Sequence, residues 1–172
     1  MTKAEFEAMY PLIIGWIQQT LAVHATQARP VASLGFKRLP QYFRAEFLAA
    51  AKVVYVDTVP TPPLGAIGLG QFSDFENMTV GGITYLDTFF AREELRDAER
   101  LHFHELVHVV QWQILGPKTF IATYADGLER MGYRASPLEV MAYTLENDFV
   151  GSPNPFDVIA VVKEQLTALH GM

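Results

Sequence analysis

The stretch "HFHELVHVVQW", residues 102–112, places titratable side chains inside a run that is otherwise apolar. Histidine and glutamate side chains are costly to bury unless their polar atoms gain partners. A metal ion is one such partner. Ordinary hydrogen bonding, in the core or at the surface, is the other, and the rest of the sequence has to distinguish between the two.

His104, Glu105 and His108 form an H-E-x-x-H pattern within this stretch. On a helix with 3.6 residues per turn, His104 and His108 lie about 40° apart around the axis and can reach one ion. Glu105 lies about 100° from His104, too far round to be a third ligand but well placed to contact a metal-bound water. The pattern therefore predicts a metal-binding pair of histidines with an acid–base glutamate beside it.

The flank of the predicted helix supports a buried site. A helix with two histidines and a glutamate at its solvent-exposed edge is the alternative, but the apolar surroundings argue against it. His102 lies on the far side of the helix from His104 and is expected to be structural, and no role is expected for His24 or His170 near helix ends. The residues that anchor the helix in the core are Phe103, Leu106, Val109 and Val110.

Composition excludes several classes of protein. The chain has 172 residues, so a single domain over residues 1–172 is expected. A net charge of −6 without a basic cluster argues against nucleic-acid binding. The absence of cysteine rules out disulfides and thiolate metal ligands. No apolar run is long enough for a membrane span, and the N-terminus does not resemble a signal peptide, so we expect a cytoplasmic protein.

Periodicity along the chain predicts a helix-rich α+β fold with one small sheet. A Pro- and Gly-rich loop at 60–78 is long enough to be functional or mobile. The capping-box sequence at 2–5 opens the first helix, and Gly116-Pro117 marks a helix end. The predicted helices cover 3–27, a segment from Pro40, the region from about 93 to 116, 117–131, 137–150 and 156–169, and the predicted strands cover 52–59 and 79–92.

A catalytic zinc site usually has three protein ligands and one open position, so a third ligand has to be found. A histidine six residues after His108 would be one solution, but that position is Ile114, and cysteine is absent. The third ligand is therefore expected to be a carboxylate. The downstream carboxylates are Asp126, Glu129, Glu139, Glu146 and Asp148.

Glu139 is the leading candidate because "SPLEVMAY", residues 136–143, places it in the first turn of a new helix. The small Ala142 on that helix permits close approach of the H-E-x-x-H helix. Two alternatives remain open. Glu139 would instead be the capping-box partner of Ser136, or Glu146, seven residues later on nearly the same helical face, would be the ligand.

The segments "HELVHVVQWQ" (104–113) and "PLEVMAY" (137–143) together resemble the gluzincin branch of the zincin-like metallopeptidases, and most closely its short single-domain bacterial members. In that branch a glutamate on a following helix completes the H-E-x-x-H motif, often within E-x-x-A-[DY]. The resemblance covers about residues 52–146. It implies a zincin-like fold and a Zn²⁺ ion held by His104, His108 and Glu139, with Glu105 as the base.

Two further points follow from this resemblance. "GGITYLDTFFAR" (81–92) resembles the strand that borders the active-site cleft in such folds. Many relatives have aspartate where this chain has Tyr143, four residues after Glu139. The hydrogen bond that orients a ligand histidine must therefore come from another residue or from the tyrosine hydroxyl.

The expected function is that of a zinc-dependent peptidase or a related amide hydrolase, in which Glu105 activates a zinc-bound water. A zinc-binding but non-hydrolytic interaction module is the alternative, although such a site has no use for a general base. A peptide or protein substrate is expected to pair with the edge of the 79–90 strand. The candidate donors to the oxyanion are Tyr124, Tyr133 and Tyr143.

Overall fold

Helices provide most of the regular structure, which confirms the helix-rich α+β class. A computed structural model describes residues 2–171. The helices in that range are α1 (Lys3–Val23), α2 (Ala45–Ala50), α3 (Ser73–Glu76), α4 (Glu99–Met131), α5 (Pro137–Gly151) and α6 (Val158–His170). The strands are β1 (Arg29–Pro30), β2 (Lys52–Val56), β3 (Gly82–Tyr85) and β4 (Thr88–Arg92).

The four strands form one sheet in the order β1-β2-β4-β3. β2 and β4 run parallel, and the outer strands β1 and β3 are antiparallel to their neighbours. β3 therefore lies at one edge of the sheet. The prediction of one strand over 79–92 was wrong, because Leu86 adopts a left-handed φ of 59° and turns the chain into a β3–β4 hairpin. Neither residue of the turn, Leu86 or Asp87, is a glycine that would have marked it in the sequence.

α4 carries the H-E-x-x-H motif and bends at Gly116, as the Gly-Pro pair predicts. Gly116 has φ 70° and ψ 163°, a conformation that glycine adopts without a steric penalty. Pro117 follows at the first position of the next helical segment, where its missing amide proton costs nothing. α4 therefore consists of two separate helical segments, residues 99–115 before the bend and residues 117–131 after it.

The motif half of α4 lies in the core of the protein. Every residue from His102 to Trp112 is buried, as the apolar flank predicts. Phe103 stacks on Phe149 of α5 with 4.4 Å between ring centroids. Burying such a side chain contributes about 1.5–3 kcal/mol, so this packing fixes the helix and its histidines in place.

The other elements depart from the predicted bounds mainly at their ends. α1 opens with the predicted Thr2–Glu5 capping box but ends at Val23. The segment from Pro40 forms a single 3₁₀ turn, and α2 begins only after Arg44, although Phe43, Phe47 and Leu48 point inward as expected. Within the described part of the chain, no helix combines the length and apolar character needed to cross a bilayer.

Candidate metal centre

Two histidines from α4 and one glutamate from α5 meet in the core between these helices. His104 Nε2 lies 3.2 Å from His108 Nε2. Glu139 Oε2 lies 3.4 Å from His104 Nε2, and Glu139 Oε1 lies 3.3 Å from His108 Nε2. All three side chains are buried, and one ligand atom from each lies within 4.8 Å of the others. The tertiary structure thus brings together the three residues that the resemblance implies.

Gln111 fixes the orientation of His108. Gln111 Nε2 donates to the carbonyl of Leu138 at 3.0 Å, so its Oε1 faces the histidine. His108 Nδ1 then donates to Gln111 Oε1 at 2.8 Å. Because Nδ1 is the donor, the neutral His108 ring presents the lone pair of Nε2 to the centre.

Glu146 orients His104 in a similar way. His104 Nδ1 donates to Glu146 Oε2 at 3.0 Å. Arg100 Nε in turn donates to Glu146 Oε1 at 2.7 Å. Carboxylates that accept from the outer nitrogen of a metal-bound histidine raise its basicity and fix its ring. Of the two sources that the sequence left open, another residue or the Tyr143 hydroxyl, the structure thus shows another residue, Glu146.

These hydrogen bonds leave mainly acceptor atoms at the centre. In neutral imidazoles, both Nε2 atoms and both Glu139 oxygens are acceptors, so a positive charge between them makes the contacts favourable. Tyr124 donates to Glu139 Oε1 at 2.7 Å, but Glu139 Oε2 is buried without a hydrogen-bond partner. The buried, unpaired oxygen and the nitrogen-and-oxygen ligand set fit a zinc ion.

The pKa shifts reflect the same excess of acceptors. Burial alone would lower the pKa of His104, but the neighbouring carboxylates of Glu139 and Glu146 raise that pKa to about 10. Burial would raise the pKa of Glu139, but the neighbouring imidazoles of His108 and His104 hold it well below its usual range. A positive charge is therefore strongly favoured at this centre.

Glu105 lies next to the centre but takes no part in the group of three. Its Oε2 accepts from Thr84 Oγ1 on β3 at 2.7 Å. A Cβ placed on Gly82 would lie 2.6 Å from Glu105 Oε1, so only glycine leaves room for the carboxylate at this position. Burial raises the pKa of Glu105, and a pKa closer to neutrality makes a carboxylate a better base.

The structure distinguishes between the alternatives for the third ligand by their positions. Ser136 is the N-cap of α5, but its side chain makes no capping hydrogen bond, so the capping-box alternative is wrong. Glu146 contacts the outer nitrogen of His104 and is not in the group of three. The other downstream carboxylates are exposed and outside the group, namely Asp126, Glu129 and Asp148.

The three tyrosines named as oxyanion donors have different surroundings. The Tyr124 hydroxyl donates to Glu139. The Tyr143 ring packs 4.5 Å from the His104 ring and lies under the guanidinium of Arg134. Tyr133, like Tyr124, lines the same cavity as Glu105. The structure thus places Tyr124 and Tyr133, but not Tyr143, on the cavity that adjoins the centre.

The remaining histidines lie outside the centre, as expected. His102 Nδ1 contacts the Ala98 carbonyl at 2.9 Å, and its Nε2 lies 2.8 Å from the Tyr55 hydroxyl. Its ring nitrogens are thus satisfied within the core. His24 Nδ1 contacts the carbonyl of Thr20 in α1, and His170 is exposed at the end of α6.

Sequence reasoning did not identify Thr84, Gln111 and Arg100 as supporting residues. Gln111 had a local signal, because a residue three positions after His108 lies on the same helical face. Thr84 and Arg100 had no such local signal, because each contacts a residue on another element. Thr84 contacts Glu105, and Arg100 contacts Glu146.

Comparisons of the chain with protein-family models, curated proteins and solved structures found no match. The resemblance to gluzincins therefore rests on the motif residues alone.

Proposed function

We propose that the protein is a zinc-dependent hydrolase of peptide or related amide bonds. The observation that carries the proposal is the convergence of acceptor atoms from His104, His108 and Glu139, including one carboxylate oxygen without a partner. A second carboxylate, Glu105, lies beside them on the same cavity.

His104, His108 and Glu139 would hold the ion, while Glu146 and Gln111 keep the two imidazoles in the correct tautomer. Bound zinc would lower the pKa of a water molecule and polarise the substrate carbonyl. Glu105 would accept the proton of the attacking water and deliver it to the leaving amine. Thr84 holds the Glu105 carboxylate in place through its hydroxyl hydrogen bond.

The position of Glu105 favours this proposal over a non-hydrolytic zinc site. A structural zinc site is closed by four ligands and does not need a free carboxylate nearby. Glu105 is 3% exposed, and a carboxyl group in the core is costly unless it has a use or a partner. The Thr84 hydroxyl supplies only one hydrogen bond to that carboxylate.

The test is the Glu105→Gln variant, assayed for zinc content and for hydrolysis of a mixture of short blocked peptides. We expect unchanged zinc and fold but loss of hydrolysis, because the amide removes the base and leaves the proposed ligands. Glu164→Gln, on the exposed surface of α6, is the matched control and should retain activity. Hydrolysis by the Glu105→Gln protein at the wild-type rate would refute the assigned mechanism.

A further inference from the structure

A cavity of about 110 Å³ adjoins the candidate metal centre and is lined at one end by Glu105, His108 and Glu139. Another part of its wall comes from α1, through Met9, Ile13 and Ile17. This part of the wall is therefore built by an element remote in sequence from the centre itself.

The segment 60–78, here called the strap, closes another side of this cavity. Its apolar side chains Leu69, Phe72 and Phe75 face inward. One hydrogen bond lies within the strap, where Glu76 Oε2 accepts from the Gly65 amide at 2.7 Å. The strap is also held against the sheet, because the Tyr85 hydroxyl donates to the Pro60 carbonyl at 2.8 Å. These contacts hold the strap in a folded conformation along the cavity.

The cavity offers few hydrogen bonds away from the metal end. Four residues with hydroxyl groups line it, Thr84, Tyr85, Tyr124 and Tyr133. The hydroxyls of the first three already donate to protein oxygens. A peptide backbone threaded through this space would leave its own N–H and C=O groups without partners, at a cost of about 1–3 kcal/mol each. The cavity is thus suited to an apolar group and not to a continuous chain.

Its size is suited to one such group. An apolar cavity of about 150 Å³ in a protein core holds a benzene molecule. A cavity of about 110 Å³ is on that scale, about the size of one leucine or benzyl side chain.

Some backbone groups of the β3 edge already have hydrogen-bond partners, which limits the pairing of this edge with an extended substrate. Arg92 N donates to the Gly81 carbonyl across the hairpin, so the alternate residues Gly82 and Thr84 direct their backbone groups away from β4. The Thr84 carbonyl accepts from Trp112 Nε1 at 3.1 Å. A long peptide that continues a ladder along this edge past Gly82 therefore meets a Thr84 carbonyl that already accepts a hydrogen bond.

We propose that the substrate is a short molecule, a peptide or acyl amide of about two residues, whose one apolar group fills this cavity. The inference rests on the proposed hydrolase function and names its substrate class. Ile13 on α1 and Phe75 on the strap would set the size of the group accepted. Extended polypeptides would be poor substrates because the apolar lining from the strap and α1 leaves the backbone of a continuing chain without hydrogen-bond partners.

The first experiment compares blocked dipeptides carrying Ala, Leu or Phe beside the cleavable amide with the same residues inside an unstructured peptide of about 30 residues. We expect the Leu and Phe dipeptides to exceed the Ala dipeptide, and their own long-chain versions, by about tenfold or more in kcat/KM. Equal cleavage of long and short substrates would overturn the inference while leaving the hydrolase proposal intact.

Two variants test whether the cavity causes the preference for short substrates with a large apolar group. Ile13→Phe should move the preference toward the Ala dipeptide, and Phe75→Ala should bring cleavage of the long peptide closer to that of the dipeptide. Leu12→Ala, at an exposed position of α1 with 52% accessibility, is the control and should change neither ratio. Unchanged ratios in both cavity variants, with folding verified by circular dichroism, would contradict the assignment.

A binding experiment separates this inference from the proposed reaction. Zinc-loaded Glu105→Gln protein is titrated by calorimetry with acetohydroxamate and with 3-phenylpropanohydroxamate. We expect the phenyl compound to bind about tenfold or more tightly, and Ile13→Phe to remove that advantage. If this preference is found but no amide is hydrolysed, the cavity assignment stands and the hydrolase proposal fails. Equal binding of the two compounds would overturn the cavity assignment.

Discussion

Glu146 lies behind His104, with its Oε2 3.0 Å from the imidazole Nδ1. Glu139, seven residues earlier on the same helix, approaches the opposite nitrogen of that ring, with its Oε2 3.4 Å from Nε2. The two glutamates that the sequence offered as alternative ligands therefore have different positions. One faces the centre, and the other supports a residue of the centre from outside.

The purified protein should contain about one zinc per chain, and His104→Ala or His108→Ala should lose it, because each removes one of three proposed ligands. Metal analysis after brief dialysis measures this directly. His170→Ala, at the exposed end of α6, is the control and should retain zinc. Wild-type zinc content in both substituted proteins would exclude the site.

Glu139→Gln and Glu146→Gln should weaken zinc binding to different degrees. Glutamine at 139 replaces a proposed charged ligand, so zinc affinity should fall by more than about 100-fold. Glutamine at 146 still offers an oxygen to His104 Nδ1 and should cost about tenfold, at the lower end of the range for residues that orient a ligand. Competition with a chromophoric chelator gives both affinities, and the reverse order would identify Glu146 as the ligand.

Gly82→Ala should reduce hydrolysis while leaving zinc in place, because the new Cβ would lie 2.6 Å from Glu105 Oε1 and displace that carboxylate. Crowding of this kind costs about 1–3 kcal/mol of stability. Gly15→Ala in α1 has no atom within 4 Å of the added Cβ, and it should stabilise the helix by about 0.5–1 kcal/mol. Thermal unfolding measures the stability of both variants, and peptide assays measure their activity. Normal activity in the Gly82→Ala protein would show that Glu105 tolerates displacement.

Zinc binding to the apoprotein at pH 7 should release a proton from His104. The pKa of that residue is about 10, so the ring carries a proton at pH 7 that the ion must displace. Zinc affinity should therefore rise with pH, by up to about tenfold per unit below that pKa. Calorimetry in buffers of different ionisation enthalpy counts the protons released on zinc binding. The Glu146→Gln protein should release fewer protons, because the substitution removes one cause of the raised pKa of His104. Buffer-independent heats would contradict this prediction.

The sequence by itself determined the local features. The i, i+4 spacing of His104 and His108 places both on one helical face, because 3.6 residues complete a turn whatever surrounds the helix. The apolar flank predicted that this helix is buried, and Gly116-Pro117 predicted the bend in α4. These properties depend on neighbours in sequence, which is why they could be inferred without a fold.

The tertiary structure decided the relationships between elements. Glu139 and Glu146 lie on nearly the same face of α5, and only the packing of α5 against α4 determines which one reaches Nε2 of His104 and which one reaches Nδ1. The contact of Thr84 with Glu105 and the α1 wall of the cavity join residues far apart in the chain. Their partners are set by the packing of whole helices and strands, and no local spacing encodes that packing.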